Sequence, residues 1–182
     1  MEEVWKPIHN YIGYQVSSDG RVKSCRYGGK HPGKCINSRW RLLKTPKAFG
    51  NSRAKIRLLN ALGEYKDFYI SRLVYSVFRG KIPVGMLVDH IDGNPDNNNV
   101  SNLRLANKSQ NGANSKLRKN RKYKGVEKCG NGPNCWHVRI IVNKQRLYIG
   151  SFSTEKEAAE AYNFKATEYF GEFAFLNNLE GV

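Results

Sequence analysis

The central segment of the chain constrains the fold most, because two short apolar runs there enclose a polar, turn-rich stretch. Residues 84–88 and 102–106 are the apolar runs, and each predicts a short strand. The stretch 89–101 between them contains Gly, Pro and three consecutive Asn residues, which is typical of a structured loop. Asn107 or Ser109 is a suitable N-cap for a following helix. The sequence therefore predicts a strand–loop–strand–helix unit.

The polar residues of this unit suit the hydrolysis of a phosphodiester. Asp89 supplies a carboxylate and Asn111 an amide oxygen, and a hard cation such as Mg²⁺ or Mn²⁺ prefers oxygen ligands. Side chains alternate along a strand, so His90 should point away from Asp89. One position can hold a metal while the other faces a water molecule. The alternative is a hairpin whose polar residues serve only the turn, with His90 on the surface.

A family resemblance strengthens the first interpretation. The central unit resembles the ββα-metal site of HNH homing endonucleases found in phages and introns, and the resemblance is carried by Asp89-His90-Ile91-Asp92-Gly93-Asn94, Asn102-Leu103-Arg104 and Asn111. It implies that Asp89 and Asn111 bind one Mg²⁺ or Mn²⁺ ion and that His90 is the general base. It also implies that Asn102 tethers the loop and orients the histidine. Residues 71–78 look like the helix that precedes the motif, although Ser71 stands where the family often has His.

The charge is concentrated on either side of this centre. The chain has a net charge of +16, and residues 1–60 contain 13 basic and 3 acidic side chains. Residues 61–115 contain 6 and 5, and residues 116–182 contain 12 and 7. Two basic arms around a nearly neutral centre indicate a polyanionic partner, for which we expect double-stranded DNA. The basic linker at 116–122 is expected to contact it through Lys116, Arg118, Lys119 and Arg121.

The two arms are predicted to be β-rich modules. Short strand patterns at 5–8 and 14–24 resemble the N-terminal module that accompanies these endonucleases. Three strand patterns at 123–128, 136–142 and 145–150 are followed by a capping signal and a helix to about residue 170.

The C-terminal block resembles the APETALA-type (ethylene-response-factor) DNA-binding domain. The resemblance is carried by Tyr123-x-Gly125-Val126, Trp136, Tyr148-Ile149-Gly150-x-Phe152, Glu157-Ala158-Ala159-x-Ala161-Tyr162, Gly171 and Leu176-Asn177. It implies that one face of the sheet enters the major groove. The positions that match DNA contacts in the family are Lys124, Lys128, Arg139, Arg146 and Tyr148. Glu127 stands where the family usually has Arg, so the family's base preference is not transferred.

These observations predict an α+β chain of several modules. The predicted modules are an N-terminal small β module at 1–60, a ββα-metal nuclease motif at 61–115, a basic linker at 116–122, and a three-stranded antiparallel sheet packed on one helix at 123–178. The function expected from them is site-specific endonuclease activity that nicks one strand of duplex DNA. The alternatives are a DNA-binding regulator with a vestigial nuclease centre and a basic RNA-associated protein; the sequence has no aromatic RNA-reading signature.

The cysteines and the first residues of the chain indicate where in the cell the protein acts. The four cysteines form no C-x-x-C pair, so we expect ordinary reduced thiols, with a metal site at Cys25, His31 and Cys35 as the alternative. The first residues lack a secretory pattern, and no apolar run reaches the roughly 18 residues of a membrane span. We therefore expect no membrane partner, and a protein that acts as a monomer in the cytoplasm of a bacterial or phage-infected host cell.

Overall fold

The protein divides into two compact units. A computed structural model describes residues 2–26, 39–45, 53–117, 121–130 and 135–180. The units are residues 1–105 and 106–182. Their elements confirm the predicted α+β class, with an N-terminal sheet, a central ββα motif and a C-terminal sheet packed on a helix. Within the described ranges, no helix is both long and apolar enough to cross a membrane.

The first unit begins with a four-stranded antiparallel sheet and continues with a hairpin and a helix. The sheet has the order β1-β2-β3-β4, with β1 at Trp5–Pro7, β2 at Tyr14–Ser17, β3 at Val22–Ser24 and β4 at Arg41–Leu42. The hairpin is β5 at Lys55–Leu59 and β6 at Tyr65–Tyr69, and α1 follows at Ile70–Phe78. The hairpin turns at Gly63, whose φ of 84° is the left-handed conformation that glycine adopts without a steric penalty.

The two strands of the central motif are short. β7 is Leu87–His90 and β8 is Leu103–Ala106, and they pair with each other. The strand predicted at 84–88 is therefore placed too early, because Val84 lies in a turn and is fully exposed at 102%. A single 3₁₀ turn at Val100–Asn102 leads into β8.

One hydrophobic core supports both the N-terminal sheet and the central strands. Val88 of β7 and Leu103 of β8 are almost fully buried, at 1% and 2% exposure. They belong to the same cluster as Val16 of β2, Leu58 of β5 and Val74 of α1. Because an isolated two-stranded ribbon is marginally stable in water, β7 and β8 depend on this shared core.

The second unit is a three-stranded antiparallel sheet covered by one long helix. The strands have the order β11-β10-β9, with β9 at Val126–Lys128, β10 at Trp136–Val142 and β11 at Gln145–Phe152. Helix α3, Glu155–Phe170, starts with a capping box between Thr154 and Glu157, as predicted. The short helix α2, Lys108–Ala113, also belongs to this unit.

Alternation along the strands gives this sheet two different faces. Val126, Val138 and Ile140 are buried in one cluster with Ala158 and Tyr162 of α3. The small side chains of α3 let the helix lie close to the sheet. The residues between the buried strand positions therefore lie on the outer face, away from α3.

Cys129 and Cys135 correct one expectation. The β9–β10 register pairs Trp136 with Lys128, which places the two cysteines opposite each other one step further along. Their Cα atoms are 5.3 Å apart and they form a disulfide. The expectation of ordinary reduced thiols is therefore wrong for this pair, because strand register brings together residues that no C-x-x-C spacing links.

A turn of the N-terminal sheet lies against the central loop. The Val100 N–H donates to the Ser18 carbonyl at 2.7 Å, and the Asn99 side-chain amide donates to Asp19 Oδ1 at 2.8 Å. Gly20 has a φ of 84°, and a Cβ added there would be 2.5 Å from the Asn98 Cβ. This turn can approach the loop so closely only because residue 20 has no side chain.

We expect Gly20→Ala to destabilise the first unit more than Gly85→Ala. Both glycines have φ near +84°, but a Cβ at Gly85 meets nothing within 4 Å. Each substitution costs about 1–2 kcal/mol for the left-handed backbone. Only Gly20→Ala also pushes Asn98 away, so its unfolding free energy should fall further in chemical denaturation. Equal losses for the two variants would contradict a tight contact at Gly20.

Candidate functional site

The strand pair separates the predicted metal ligand from the predicted base. Val88 points into the core, so His90 shares its side of β7, while Asp89 lies on the opposite side. Asp89 and His90 are both buried, at 6% exposure each. Two adjacent polar residues are thus held in different surroundings by backbone alternation alone.

Asp89 pairs with an arginine on the neighbouring strand. Arg104 Nε donates to Asp89 Oδ2 at 3.1 Å, and both side chains are nearly buried, at 12% and 8% exposure. A buried carboxylate needs such a partner, because burying a lone charge is expensive. The guanidinium therefore fixes the orientation of the carboxylate that the sequence assigns to the metal.

His90 contacts an asparagine that the sequence analysis did not assign. Its Nε2 lies 3.1 Å from Asn98 Oδ1. The Asn98 amide nitrogen donates to the carbonyls of Pro95 and Asp96, at 3.4 and 3.3 Å, which fixes the oxygen as the atom facing the ring. Nε2 is therefore assigned as the protonated nitrogen, which makes Nδ1 the basic nitrogen of the neutral imidazole.

Asn102 ties the two ends of the loop together. Its side-chain oxygen accepts from the Asp92 N–H at 3.1 Å, and its nitrogen donates to Asp92 Oδ1 at 2.9 Å and to the Asn97 carbonyl at 2.8 Å. Burial acts to raise the pKa of Asp92, but hydrogen bonds from Asn94, Asn97 and Asn102 outweigh it and hold that pKa below its usual range. Among the loop asparagines, Asn98 contacts the imidazole directly, whereas Asn102 holds the loop through Asp92.

Asn111, the other predicted metal ligand, lies on α2 in the second unit. Asn107 is the N-cap, and it forms a reciprocal capping box with Gln110. This cap fixes the first turn of the helix, where the Asn111 N–H donates to the Asn107 carbonyl at 2.9 Å. The Asn111 side chain is partly exposed.

A single carboxylate organises the arginines on the outer face of the C-terminal sheet. Glu127 accepts from Arg139 at 2.6 Å and from Arg146 and Arg121 at 3.0 Å each. The hydrogen bond from Arg121, with the charges of the other arginines, holds the pKa of Glu127 below its usual range despite partial burial. Three of the predicted DNA contacts are thus gathered around one acidic side chain.

The other predicted DNA contacts have varied surroundings. Tyr148 is 57% exposed and its hydroxyl lies 2.6 Å from Ser151 Oγ. Lys128 and Lys116 are exposed. Arg118 and Lys119 lie outside the described residues.

Lys124 is embedded in the second unit. Its ammonium donates to the Ala113 carbonyl and, at 2.8 Å, to the Ser115 carbonyl, just beyond the end of α2. Burial lowers its pKa to about 8. These contacts give Lys124 a structural role at the helix C-terminus, where a cation is favourable.

Sequence reasoning missed Asn98, Arg104 and the role of Glu127. Arg104 was detectable. Alternation places Asp89 on the side of β7 opposite Val88 and Arg104 on the side of β8 opposite Leu103, so both lie on the face of the strand pair away from the core. Asn98 was not detectable, because three consecutive asparagines give no indication of which one faces the histidine.

Two family models match parts of the chain. Residues 68–113 match a family described as HNH endonuclease, which confirms the resemblance of the central unit. Residues 3–44 match the NUMOD4 motif.

Three relatives are similar to parts of the chain. An uncharacterised HNH endonuclease of Acanthamoeba polyphaga mimivirus is 40% identical over 112 residues, covering 61% of this chain and 58% of the relative. DNA endonuclease I-HmuI of Bacillus phage SP01 is 38% identical over 103 residues, covering 55% and 50%. A structure of I-HmuI, concerned with its DNA binding and cleavage, aligns with 92% of this chain and 88% of that one at 27% identity and a TM-score of 0.49.

The third relative belongs to a different class. A transcription repressor with AP2/ERF and B3 domains from Arabidopsis thaliana is 37% identical over 71 residues, covering 38% of this chain and 19% of the relative. The chain thus spans 58% and 50% of the length of the two viral endonucleases, and a smaller share of the plant protein.

We expect the half-buried ammonium of Lys124 to make stability depend on pH. Because its folded pKa of about 8 is lower than the roughly 10.4 of an unfolded chain, the unfolded state binds more protons between these values. The free energy of unfolding should therefore gain a rising contribution as pH increases from about 8 to about 10.4. Denaturation at a series of pH values measures it.

Lys124→Met should remove this contribution, whereas Lys156→Met, on the exposed side of α3, should keep it. An unchanged pH dependence in Lys124→Met would contradict the assignment.

Proposed function

We propose that this chain, which carries an HNH endonuclease segment at 68–113 and a NUMOD4 motif at 3–44, is a site-specific DNA endonuclease that nicks one strand of a duplex. The observation that carries the proposal is the separation of Asp89 from His90 on β7, each with its own buried partner. Hydrolysis of a phosphodiester needs an anion that binds a cation and a base that faces a water molecule, held apart in this way.

The donor chemistry suits one hard divalent cation. Asp89 offers a carboxylate held by Arg104, and Asn111 offers an amide oxygen, so we propose that these two residues hold Mg²⁺ or Mn²⁺. When bound, such an ion offsets the negative charge that develops on the scissile phosphate and its leaving oxygen.

His90 acts as the general base. Its Nδ1 takes a proton from the attacking water, and the imidazolium that forms keeps its Nε2–H hydrogen bond to Asn98. The Asn98 side-chain oxygen accepts from the ring, so Asn98 sets the orientation and the tautomer of the imidazole. Attack on phosphorus with loss of the 3′-oxygen leaves 5′-phosphate and 3′-hydroxyl ends.

Target binding is assigned to the two basic arms. On the outer face of the C-terminal sheet, Arg139, Arg146 and Tyr148 are presented together, and Lys128 and the 116–122 linker add positive charge. Such a face suits duplex DNA, with arginines able to reach base edges and phosphates. One catalytic centre on a monomer cuts one strand per visit, in the cytoplasm of a bacterial or phage-infected cell.

We propose the same module boundaries as the sequence indicates. The first DNA-binding module is 1–60 and the nuclease module is 61–115. The linker 116–122 joins the nuclease module to the second DNA-binding module, 123–178. The compact units, divided at residue 105, group the N-terminal sheet with the central strands.

A DNA-binding regulator with an inactive nuclease centre is the second candidate. The observation that favours it is the similarity to a plant transcription repressor. A nicking assay distinguishes the endonuclease from the regulator. A target sequence is first selected from a pool of random duplexes and placed in supercoiled DNA, which is then incubated with the protein and Mg²⁺ or Mn²⁺. Binding without any cleavage would favour regulation.

We predict that His90→Ala lowers the nicking rate by about 10²–10⁴-fold, the usual contribution of a general base. Duplex affinity should not change, because His90 is buried at 6% exposure. The measurements are nicking of supercoiled DNA and a gel-shift titration. His9→Ala, at an exposed histidine of the first unit, is the matched control and should cleave normally. Undiminished nicking by His90→Ala would refute the mechanism.

We predict that Glu127→Gln increases affinity for random-sequence duplex DNA and makes it more dependent on salt. The carboxylate holds Arg121, Arg139 and Arg146, and without its charge these arginines can turn to phosphates. Each new phosphate contact steepens the slope of log K against log salt by about 0.9.

Glu160→Gln, on an exposed position of α3, makes the same change in net charge and is the control for it. Identical salt slopes for the two variants would show that Glu127 does not restrain the arginines.

A further inference from the structure

A second group of potential metal ligands lies at one end of the C-terminal sheet. Cys129, Cys135 and His137 each offer one ligand atom, and these atoms all lie within 4.8 Å of one another. All three side chains are partly buried. The cluster consists of two sulfurs and an imidazole, whereas the nuclease site offers oxygen donors.

Strand register explains why the three side chains meet. Cys129 and Cys135 face each other across the β9–β10 ladder, and the Cys129 N–H donates to the Cys135 carbonyl at 2.9 Å. Cys135 directly precedes β10 and is two residues from His137, so the two side chains lie on the same face of this extended segment. Trp136, between them, packs on the opposite side against the core with α3. The cluster is thus built into regular backbone.

We propose that the reduced form of this cluster binds one Zn²⁺ ion through Cys129, Cys135 and His137. Thiolate and imidazole ligands select zinc over the hard cations that suit Asp89 and Asn111. In a tetrahedral site with Zn–S of about 2.3 Å and Zn–N of about 2.0 Å, ligand atoms lie about 3.5–3.8 Å apart. Breaking the disulfide lets the two sulfurs separate to this spacing, and the imidazole ligand atom already lies within 4.8 Å of both. Three protein ligands leave the fourth position to water.

The disulfide and the zinc site are alternative states of the same two cysteines. A monothiol such as reduced glutathione opens the disulfide by exchange: two thiols are oxidised to one external disulfide, and Cys129 and Cys135 each gain a hydrogen. Zn²⁺ then displaces the two thiol protons as it binds. Either state joins the ends of β9 and β10 at the edge of the outer sheet face.

Zinc would also act on a predicted DNA contact. The His137 ring packs edge-to-face on Tyr148, with the ring centroids 5.5 Å apart. A metal-bound imidazole cannot rotate, so zinc would hold Tyr148 in one position on the face that carries Arg139.

The test uses Co²⁺ as a spectroscopic substitute for Zn²⁺ on the reduced, metal-free full chain. The expected result is a thiolate-to-cobalt charge-transfer band that saturates at one equivalent and disappears when Zn²⁺ is added. Oxidised protein should show no such band. Oxygen ligands do not give this band, so Asp89→Ala should keep it, and the result does not depend on nuclease activity.

Single substitutions identify which residues bind the metal ion. Cys129→Ser or Cys135→Ser should abolish the band, while Cys25→Ser, at a cysteine of the first unit, should leave it unchanged. His137→Gln should weaken Zn²⁺ binding by more than the roughly tenfold loss typical of an outer-sphere substitution. A band that survives Cys129→Ser, or no band in the reduced wild type, would overturn the proposal.

A measurement on the wild-type protein tests the proposal without variants, which can fail to fold. Mass spectrometry of iodoacetamide-treated reduced protein should show that Zn²⁺ slows alkylation of Cys129 and Cys135 together. Equal alkylation rates with and without Zn²⁺ would also overturn the proposal.

Discussion

The burial of Val88 and Leu103 in the core of the first unit is the constraint on which the central ββα motif depends. Two paired four-residue strands do not bury enough apolar surface to be stable alone. Their place in that core decides which face of β7 presents Asp89 and which presents His90. The turn at Ser18–Gly20 then packs against the loop that carries Asn98, so the NUMOD4 segment also supports the surroundings of His90.

The second unit holds several positive charges close together beside the outer face of its sheet. Arg121, Arg139 and Arg146 would repel one another, and Glu127 offsets that repulsion by accepting a hydrogen bond from each. The same hydrogen bonds fix the orientation of each guanidinium. The Lys124 ammonium, in contrast, donates hydrogen bonds to carbonyl groups at the end of α2.

Much of the fold was predictable because local patterns and tertiary packing agree. The hairpin around Gly63, the turn at Asn143 and Lys144, and the Thr154 cap of α3 follow from residue chemistry that acts over a few positions. The strand predicted at 84–88 failed because apolar composition does not require burial, and Val84 is exposed. The disulfide was missed because it depends on register between two strands.

The sequence by itself determined the types of residue at the candidate site and the alternation that separates Asp89 from His90, since both depend on adjacent positions. Tertiary structure decided which partners those residues receive. It selects Asn98 from three consecutive asparagines, pairs Arg104 with Asp89, and turns Glu127 into an acceptor for three arginines. The paired residues lie 6 to 19 positions apart on different strands and loops, so which side chains meet depends on how those strands and loops pack once the core has formed.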